Sequence, residues 1–333
     1  MSNKEVSATL LTEEAVNTDV VESTAADTAT EEATASEKKT IEKKKRRRRF
    51  GDRVEGYKIR TLQPMNRLTA YIMPMRCDAC NTFADSFEIT KAERYCRQKV
   101  KEGYTNFSML HIFIAAYTRL ISQRPAVNRF VSGQKIYHRH DIEISMVVKK
   151  ELTSESPDTA IKVYPEPTDT IYDVYRKFDD VVNEAKAAEE NGIDSLMKIL
   201  NFIPGLLLRW TVGLINFLDY FGLLPRFLTK LSPFHGTMII TSMGSLGIKP
   251  IYHHLYNFGN LPVFLSYGTK RTAYELDKNG EVQKRRYIDM KMVTDERICD
   301  GFYYASAFKL FKKYVENPEL LELPPEEVFE DID

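Results

Sequence analysis

Proton transfer near neutral pH, nucleophilic attack and metal ligation draw on few side chains, and this chain of 333 residues carries six histidines and four cysteines. His253 and His254 stand side by side in Ile251-Tyr252-His253-His254-Leu255-Tyr256. Neutral imidazole titrates in the range a general base needs, so this pair is the best suited of the histidines to proton transfer. His235, in Ser232-Pro233-Phe234-His235-Gly236, reads first as a hydrogen-bonded structural residue, and His138 and His140, which flank a turn, as structural or exposed. Cys77-Asp78-Ala79-Cys80 has a spacing used in redox and metal chemistry. Zinc wants four ligands, however, and neither a second pair nor a thioredoxin-like context accompanies it, so no metal site is expected.

Two further segments concentrate polar residues at strand ends. Thr294-Asp295-Glu296-Arg297-Ile298-Cys299-Asp300-Gly301 runs from a strand into a helix. Gly236-Thr237-Met238-Ile239-Ile240-Thr241-Ser242-Met243-Gly244-Ser245-Leu246-Gly247 is a strand followed by a glycine-bearing turn. That turn is not a dinucleotide fingerprint, and no phosphate-cradling loop occurs in the chain. Nor is there a Gly-x-Ser-x-Gly elbow of the kind hydrolases use.

Together these segments resemble the Asp-His-Arg-x-x-Asp-Gly signature and the Thr-Ile-(Ser/Thr)-x-x-Gly-x-x-Gly strand and turn of the 2-oxoacid dehydrogenase acyltransferase catalytic domains and chloramphenicol acetyltransferase. Phe87-Glu88-Ile89-Thr90 matches the family's early strand, and Arg124-Pro125-Ala126-Val127-Asn128 its Pro-x-x-Asn helix end. The resemblance spans roughly Thr61 to Pro318. It implies a homotrimer that moves an acyl group between a thiol, from coenzyme A or dihydrolipoamide, and an acceptor. It implies Thr241 as the hydroxyl that stabilises the oxyanion across a subunit boundary, and Asp300 as an ion-pair partner that holds the loop. Gly301 is then the tight approach before the helix, and Ser242, Gly244 and Arg297 are residues that meet the coenzyme A thioester. Glu296 occupies the place of the family's histidine base. A free glutamate titrates near ~4.3 and a thiol near ~8.5, so a carboxylate needs burial to serve well there. His254 is the candidate for a relocated base. Otherwise Glu296 pairs with a nearby arginine or lysine and moves no proton. Cys299, at an x position, reads as packing.

The elements that must position these residues are legible as patterns. Residues 1–50 are expected to be a disordered tail: 1–42 are rich in Thr, Ala, Glu and Ser, lack aromatics, and bury too little apolar surface to offset ordering. They also lack the apolar core of a signal peptide. The basic run at 43–49 reads as a solvated tail or as a contact for anionic lipid, with nucleic acid not favoured. Residues 51–333 read as one acyltransferase-like domain of α/β class, an α+β two-layer sandwich with a chloramphenicol acetyltransferase-like mixed sheet flanked by helices.

Thr90 with Glu93 has the spacing of a capping box, and a helix is expected to follow through about Lys99. Helices are also expected over 107–122, ended by Arg124-Pro125, from Thr170, and over 302–314. Strands are expected at 136–137, 142–148, 160–163, 237–241, 263–268, 271–276, 282–288 and 291–294. Asn279-Gly280 forms a hairpin turn, since it tolerates positive φ.

Residues 193–231 form an extra apolar segment read as two or three short helices. No stretch reaches the ~18 residues of a membrane span. The segment is expected to bury against the core or a trimer partner, to lie in a membrane interface, or to line a tunnel for a long acyl chain. Few cysteines fit a reducing cytoplasm, and the second of these readings adds peripheral attachment to an anionic membrane surface. The function expected is acyl transfer from a coenzyme A or other thioester, without lipoyl or subunit-binding domains and with no lipoyl group on this chain. The alternative is an inactive relative acting as an acyl-CoA-binding or membrane-associated scaffold.

Overall fold

The computed structural model describes residues 46–149, 158–187 and 201–333. The tail through residue 45 and the first part of the apolar segment, 193–200, lie outside the described residues. Residues 47–333 make one compact unit.

Its backbone is a six-stranded sheet in the order β2-β9-β8-β7-β5-β6. The strands are β2 (Cys80–Glu88), β5 (Ile144–Lys149), β6 (Asp158–Val163), β7 (Met238–Ser242), β8 (Val263–Leu276) and β9 (Val282–Asp295). β7 pairs parallel with both β5 and β8, and the other pairs are antiparallel, so the sheet is mixed. β8 and β9 meet in a turn where Gly280 adopts φ 81°, a conformation glycine reaches without strain.

Side chains alternate along each strand, and one face is mainly apolar. Phe87, Ile144, Ile161, Met238, Ile240, Leu265 and Met290 all point into one core. That core is closed by helices α2 (Thr90–Lys101), α3 (Met109–Gln123) and α4 (Ile171–Ala187), with α7 (Gly301–Glu316) beside α3. Phe87, Phe113 and Phe311 are fully buried and mutually in contact. Each such side chain contributes roughly 1.5–3 kcal/mol by leaving water.

The opposite face carries Ile239, Thr241, Phe264, Ser266, Lys291 and Val293. The chain between β7 and β8 crosses part of it. Ile251 N donates to Ser266 Oγ at 3.2 Å, the Lys291 ammonium sits 3.7 Å from the Tyr252 ring centre, and His253 stacks on Phe264 at 4.1 Å. Leu255 completes a small cluster with Ile239, Leu261, Phe264 and Val293, against which Cys80 packs.

A second sheet, β1 (Gly56–Lys58), β4 (Lys135–Arg139) and β3 (Arg129–Ser132), lies in that order. It has its own cluster with Ile59, Ile136, Ile298 and Tyr304. Helix α1 (Pro64–Ile72) adds Ala70 to it. The apolar segment folds into α5 (Gly205–Phe221) and α6 (Arg226–Leu231).

Some local expectations are corrected. Thr90 is the first helical residue and Ile89 the N-cap; the Thr90 hydroxyl instead accepts from Arg286 N of β9 at 3.0 Å. Glu93 pairs with Lys270 and Arg286 rather than closing a capping box. The box occurs at α3, where Ser108 and His111 cap each other. Residues 263–276, and likewise 282–295, are single strands, with an irregularity between Tyr267 and Lys270.

The C-terminal residues fold back over the second sheet. Asp331 accepts from Arg129 Nε at 2.7 Å and Nη2 at 2.5 Å, and lies 3.2 Å from His138 Nδ1. Burial raises its pKa, but the hydrogen bonds and charges of Arg129 and His138 outweigh that and hold it at about 2. A carboxylate lowered from its usual value adds stability above pH ~4 that is lost as pH falls toward 2. In Asp331→Asn this acid-sensitive component is therefore expected to disappear. The variant leaves the Arg129 guanidinium buried and unneutralised, and urea denaturation at pH 7 should show a loss of about 3–5 kcal/mol.

Candidate active site

The turn between β9 and α7 is fixed from several directions. Asp295 is fully buried. Its two oxygens accept from Arg297 Nε at 2.8 Å and Nη2 at 2.6 Å, while Arg76 Nε lies 3.5 Å away. Both arginines are themselves buried. They direct their remaining donors to backbone carbonyls: Arg297 to Met73, and Arg76 to Tyr256 and Val131. The carbonyl of Asp295 accepts from the Tyr304 hydroxyl at 2.9 Å.

This cluster ties three loops together: 73–79 ahead of β2, 254–257 ahead of β8, and the signature turn itself. Glu296 N closes the arrangement by donating to Ala79 O at 2.9 Å.

Within this frame the expected site residues fall as follows. Glu296 is half-buried, and among the described residues no hydrogen bond or ion pair reaches its carboxylate. The alternative reading, in which Glu296 pairs with an arginine or lysine, is not met among the described residues. Asp300 is exposed and caps α7, accepting from Tyr303 N at 2.8 Å; the buried ion pairs of this loop are made by Asp295. Arg297, read as a thioester contact, has its guanidinium committed to Asp295 while also lining a cleft. Cys299 is buried in the second cluster, and burial pushes its thiol up to about 12, so it stays protonated.

Thr241 lies on the open face of β7, half-buried, opposite Ser266 of β8. Ser242 follows it beside Tyr267. At Gly244 a Cβ would come 2.6 Å from the Gly268 carbonyl oxygen, so glycine is what lets the turn pack on β8. β8 pairs Val263 with Thr294 of β9 and Ser266 with Thr241 of β7. Two strand spacings across and three residues along separate Thr241 from the signature turn by on the order of 15 Å. One chain therefore does not bring Thr241 and Glu296 together.

The histidines divide in the same way. His254 is exposed on the loop that Arg76 grips through the neighbouring Tyr256 carbonyl, so it belongs to the same loop cluster as Glu296. His253 is stacked between His254 and Phe264. His235 is buried against Asp219, and His138 pairs with Asp331. His111 caps α3, and burial lowers its pKa to about 4. Cys77 is exposed and Cys80 half-buried. Among the described residues no three His, Cys, Asp or Glu side chains converge as a metal site would require.

A cleft of about 380 Å³ opens beside the ion cluster, lined by Arg76, Ser132, Asn216, Asp219, Asn257 and Arg297 among others. α5 forms one wall. Its Asp219 is buried beside Arg53 and His235. Burial raises the Asp219 pKa, but His235 and Arg53 outweigh it and hold the carboxyl below its usual range. Sequence patterns did not point to the anchoring by Asp295 and Arg76, and they bore on this wall only through the reading of the apolar segment as a tunnel lining. The signals that bear on them are the run of charged residues Asp295-Glu296-Arg297 and a lone acidic residue in an apolar helix.

Residues 231–323 match the model of the family described as 2-oxoacid dehydrogenases acyltransferase (catalytic domain). No curated protein sequence matches the chain. Among solved structures, a probable dihydrolipoamide acetyltransferase from Listeria monocytogenes superposes with a TM-score of 0.51 at 15% identity, covering 76% of this chain and 89% of that one. The cubic core of a pyruvate dehydrogenase multienzyme complex gives 0.52 at 13% identity, over 78% of this chain and 89% of the other. The dihydrolipoamide acetyltransferase of Azotobacter vinelandii gives 0.52 at 13%, over 78% and 88%. At these identities the likeness is one of fold, and it is the mixed-sheet architecture expected from the sequence.

The division of labour in the turn has a measurable consequence. Asp295→Asn strands two buried guanidinium groups and is expected to cost about 3–5 kcal/mol. Asp300→Ala removes one helix cap and should cost about 1 kcal/mol. Guanidinium denaturation of the two variants checks the ranking.

Proposed function

We propose, from the acyltransferase architecture of residues 47–333 and the family match over 231–323, that the protein transfers an acyl group from a coenzyme A or similar thioester to a small nucleophilic acceptor. The observation that carries this reading is the state of the signature turn. Asp295, Arg297 and Asp300 are all engaged in holding it, while the half-buried Glu296 carboxylate takes no partner among the described residues. A turn held by a buried ion cluster, with one carboxylate left uncommitted, suits a general base.

In the proposed reaction the acceptor's hydroxyl, amine or thiol gives its proton to Glu296 as it attacks the thioester carbonyl. The tetrahedral oxyanion takes a hydrogen bond from a Thr241 hydroxyl. The carbon–sulfur bond then breaks, and the proton passes from Glu296 to the departing thiolate. A carboxylate is poorly matched to a thiol acceptor in water, and exclusion of water by bound substrate is what makes such a base competent. His254, on the adjoining loop, is the second group able to take the proton.

Thr241 and Glu296 of one chain are separated by on the order of 15 Å, so the reading requires Thr241 from a neighbouring copy, as in a closed trimer. The open sheet face around Thr241 is the surface that meets it.

Thiol release from acetyl-CoA and longer acyl-CoAs, followed colorimetrically, tests the assignment. Glu296→Gln is expected to lower turnover by about a hundredfold or more and Thr241→Ala by about 10²–10³, each with an unchanged melting temperature. Glu296→His should keep or raise turnover. Co-expressing the Glu296→Gln and Thr241→Ala chains should restore about one quarter of wild-type activity through mixed sites. Equal, negligible turnover in wild type and Glu296→Gln would leave a non-catalytic acyl-CoA-binding protein.

A further inference from the structure

α5 is an unusual surface helix. It docks by a narrow stripe of Leu208, Thr211, Ile215 and Leu218, half-buried, and Asp219, buried. A surface helix of this kind normally turns polar residues outward. Here Leu206, Leu207, Trp210, Leu214, Phe217 and Phe221 are all exposed, Leu206 to 73% and Trp210 to 72%. At 3.6 residues per turn these six fall within an arc of about 100°. Phe202, Leu223 and Phe227 extend the patch beyond the helix ends. At ~150–250 Å² per large side chain, the exposed apolar surface is on the order of 1,000 Å², well above what soluble monomers leave in one patch.

The charges around this patch are mostly of one sign. From 201 to 232 the described chain holds Arg209, Arg226 and Lys230 and a single acid, Asp219. Asp219 is buried and paired with Arg53, with His235 3.6 Å away. Arg226 is taken up by Asp141 and Glu143, which leaves Arg209 and Lys230 as the exposed cations of the segment. Arg53 also brings the basic run here. Its Nη2 donates to the Asp219 carbonyl and its Nη1 to Ser132 Oγ at 2.7 Å. The exposed Arg47, Arg48 and Arg49 precede it by four to six residues of chain, so Arg49, itself paired with Asp333, is held within ~14 Å of the Arg53 backbone. Lys135, exposed beside the Gln134 that accepts from the Tyr220 hydroxyl, adds another cation.

We propose that α5 binds the surface of an anionic lipid bilayer, lying in the headgroup plane with Leu206, Trp210, Leu214, Phe217 and Phe221 inserted. Each observation fits that occupant better than a second protein copy. The apolar stripe is about 100° wide, as in interfacial helices. Trp210 and Tyr220 are of the types that favour the water–lipid boundary. A cationic rim repels a second copy of itself but is drawn to anionic headgroups. No helix among the described residues is long and apolar enough to cross a membrane, so the helix lies on the surface. Because Asn216, Asp219 and Tyr220 on another side of α5 line the cleft, the docked protein holds that cleft within one helix diameter of the lipid.

The chain has a single tryptophan, and it is Trp210. Its emission therefore reports on this patch without labelling. The full-length protein is mixed with equimolar phosphatidylglycerol–phosphatidylcholine vesicles at low salt, with pure phosphatidylcholine as comparison. Binding is expected to be strong to the anionic vesicles alone. Trp210 emission should shift to the blue and be quenched by brominated acyl chains. Leu206→Ser with Phe217→Ser should abolish flotation without changing the melting temperature. Arg47, Arg48 and Arg209 changed together to Gln should weaken binding by about five-fold per cation removed. The proposal is overturned if the protein does not float with anionic vesicles, or if it floats while Trp210 is not quenched by brominated lipid. It is equally overturned if Trp210 emission follows protein concentration and not lipid, the result expected if a second copy or another segment of this chain covers the patch. These readouts need no acyl transfer, so they stand or fall apart from the proposed activity.

Discussion

The fully buried Asp295 carboxylate and the two arginines that surround it are what the site region depends on. Removing charges from water is unfavourable, and an ion pair offsets it only with close geometry and full hydrogen bonding. Here the carboxylate is gripped at both oxygens by Arg297, at 2.8 and 2.6 Å. The arginines use their other donors on carbonyls distant in sequence, those of Met73 and Tyr256 in loops and that of Val131 in β3. The ion pair therefore fixes the relative positions of three connections that lie outside the ladders of the sheets. Apolar packing could fill this volume with less desolvation, but it would not orient the loops so narrowly.

From that cluster the polar chemistry spreads in two directions. On one side lie Glu296, half-buried and without a partner among the described residues, and the histidine-bearing loop, where His254 is exposed. Toward the smaller sheet lie the cleft and the Arg53–Asp219–His235 group, where charges are buried and paired. The first arrangement suits reaction and the second suits support. The same reasoning separates the two acids of the signature: Asp300 is a solvent-facing helix cap, whereas Asp295 anchors the interior.

α5 joins the two themes. Its inner side contributes Asp219 to the buried charge network, and its outer side presents large apolar residues to the surroundings. An ordinary core helix would bury those residues and an ordinary surface helix would lack them. One helix thus couples the wall of the cleft to whatever medium covers the protein's exterior.

Much of the architecture was legible in the sequence because its causes are local. The spacing of Leu110, Phe113, Ile114, Tyr117 and Ile121 specifies α3, Arg124-Pro125 stops it, and Asn279-Gly280 turns the β8–β9 hairpin. The signature and the Thr241 block carried the resemblance to an acyltransferase fold. Tertiary contacts decided the rest. β8 reads as two strands, 263–268 and 271–276, yet it pairs with β9 on both sides of an irregularity between Tyr267 and Lys270, and the resumed ladder makes it one strand. Thr90 has the sequence of a helix cap, but its hydroxyl accepts from Arg286 N of β9. β3, four residues long, has no periodicity to read, although it supplies a wall of the cleft. Which acid of Asp295, Glu296 and Asp300 would be buried, paired or left open could not be read from their order. Burial is set by the loops packed over them, and those are residues 73–79 and 254–257, far earlier in the chain.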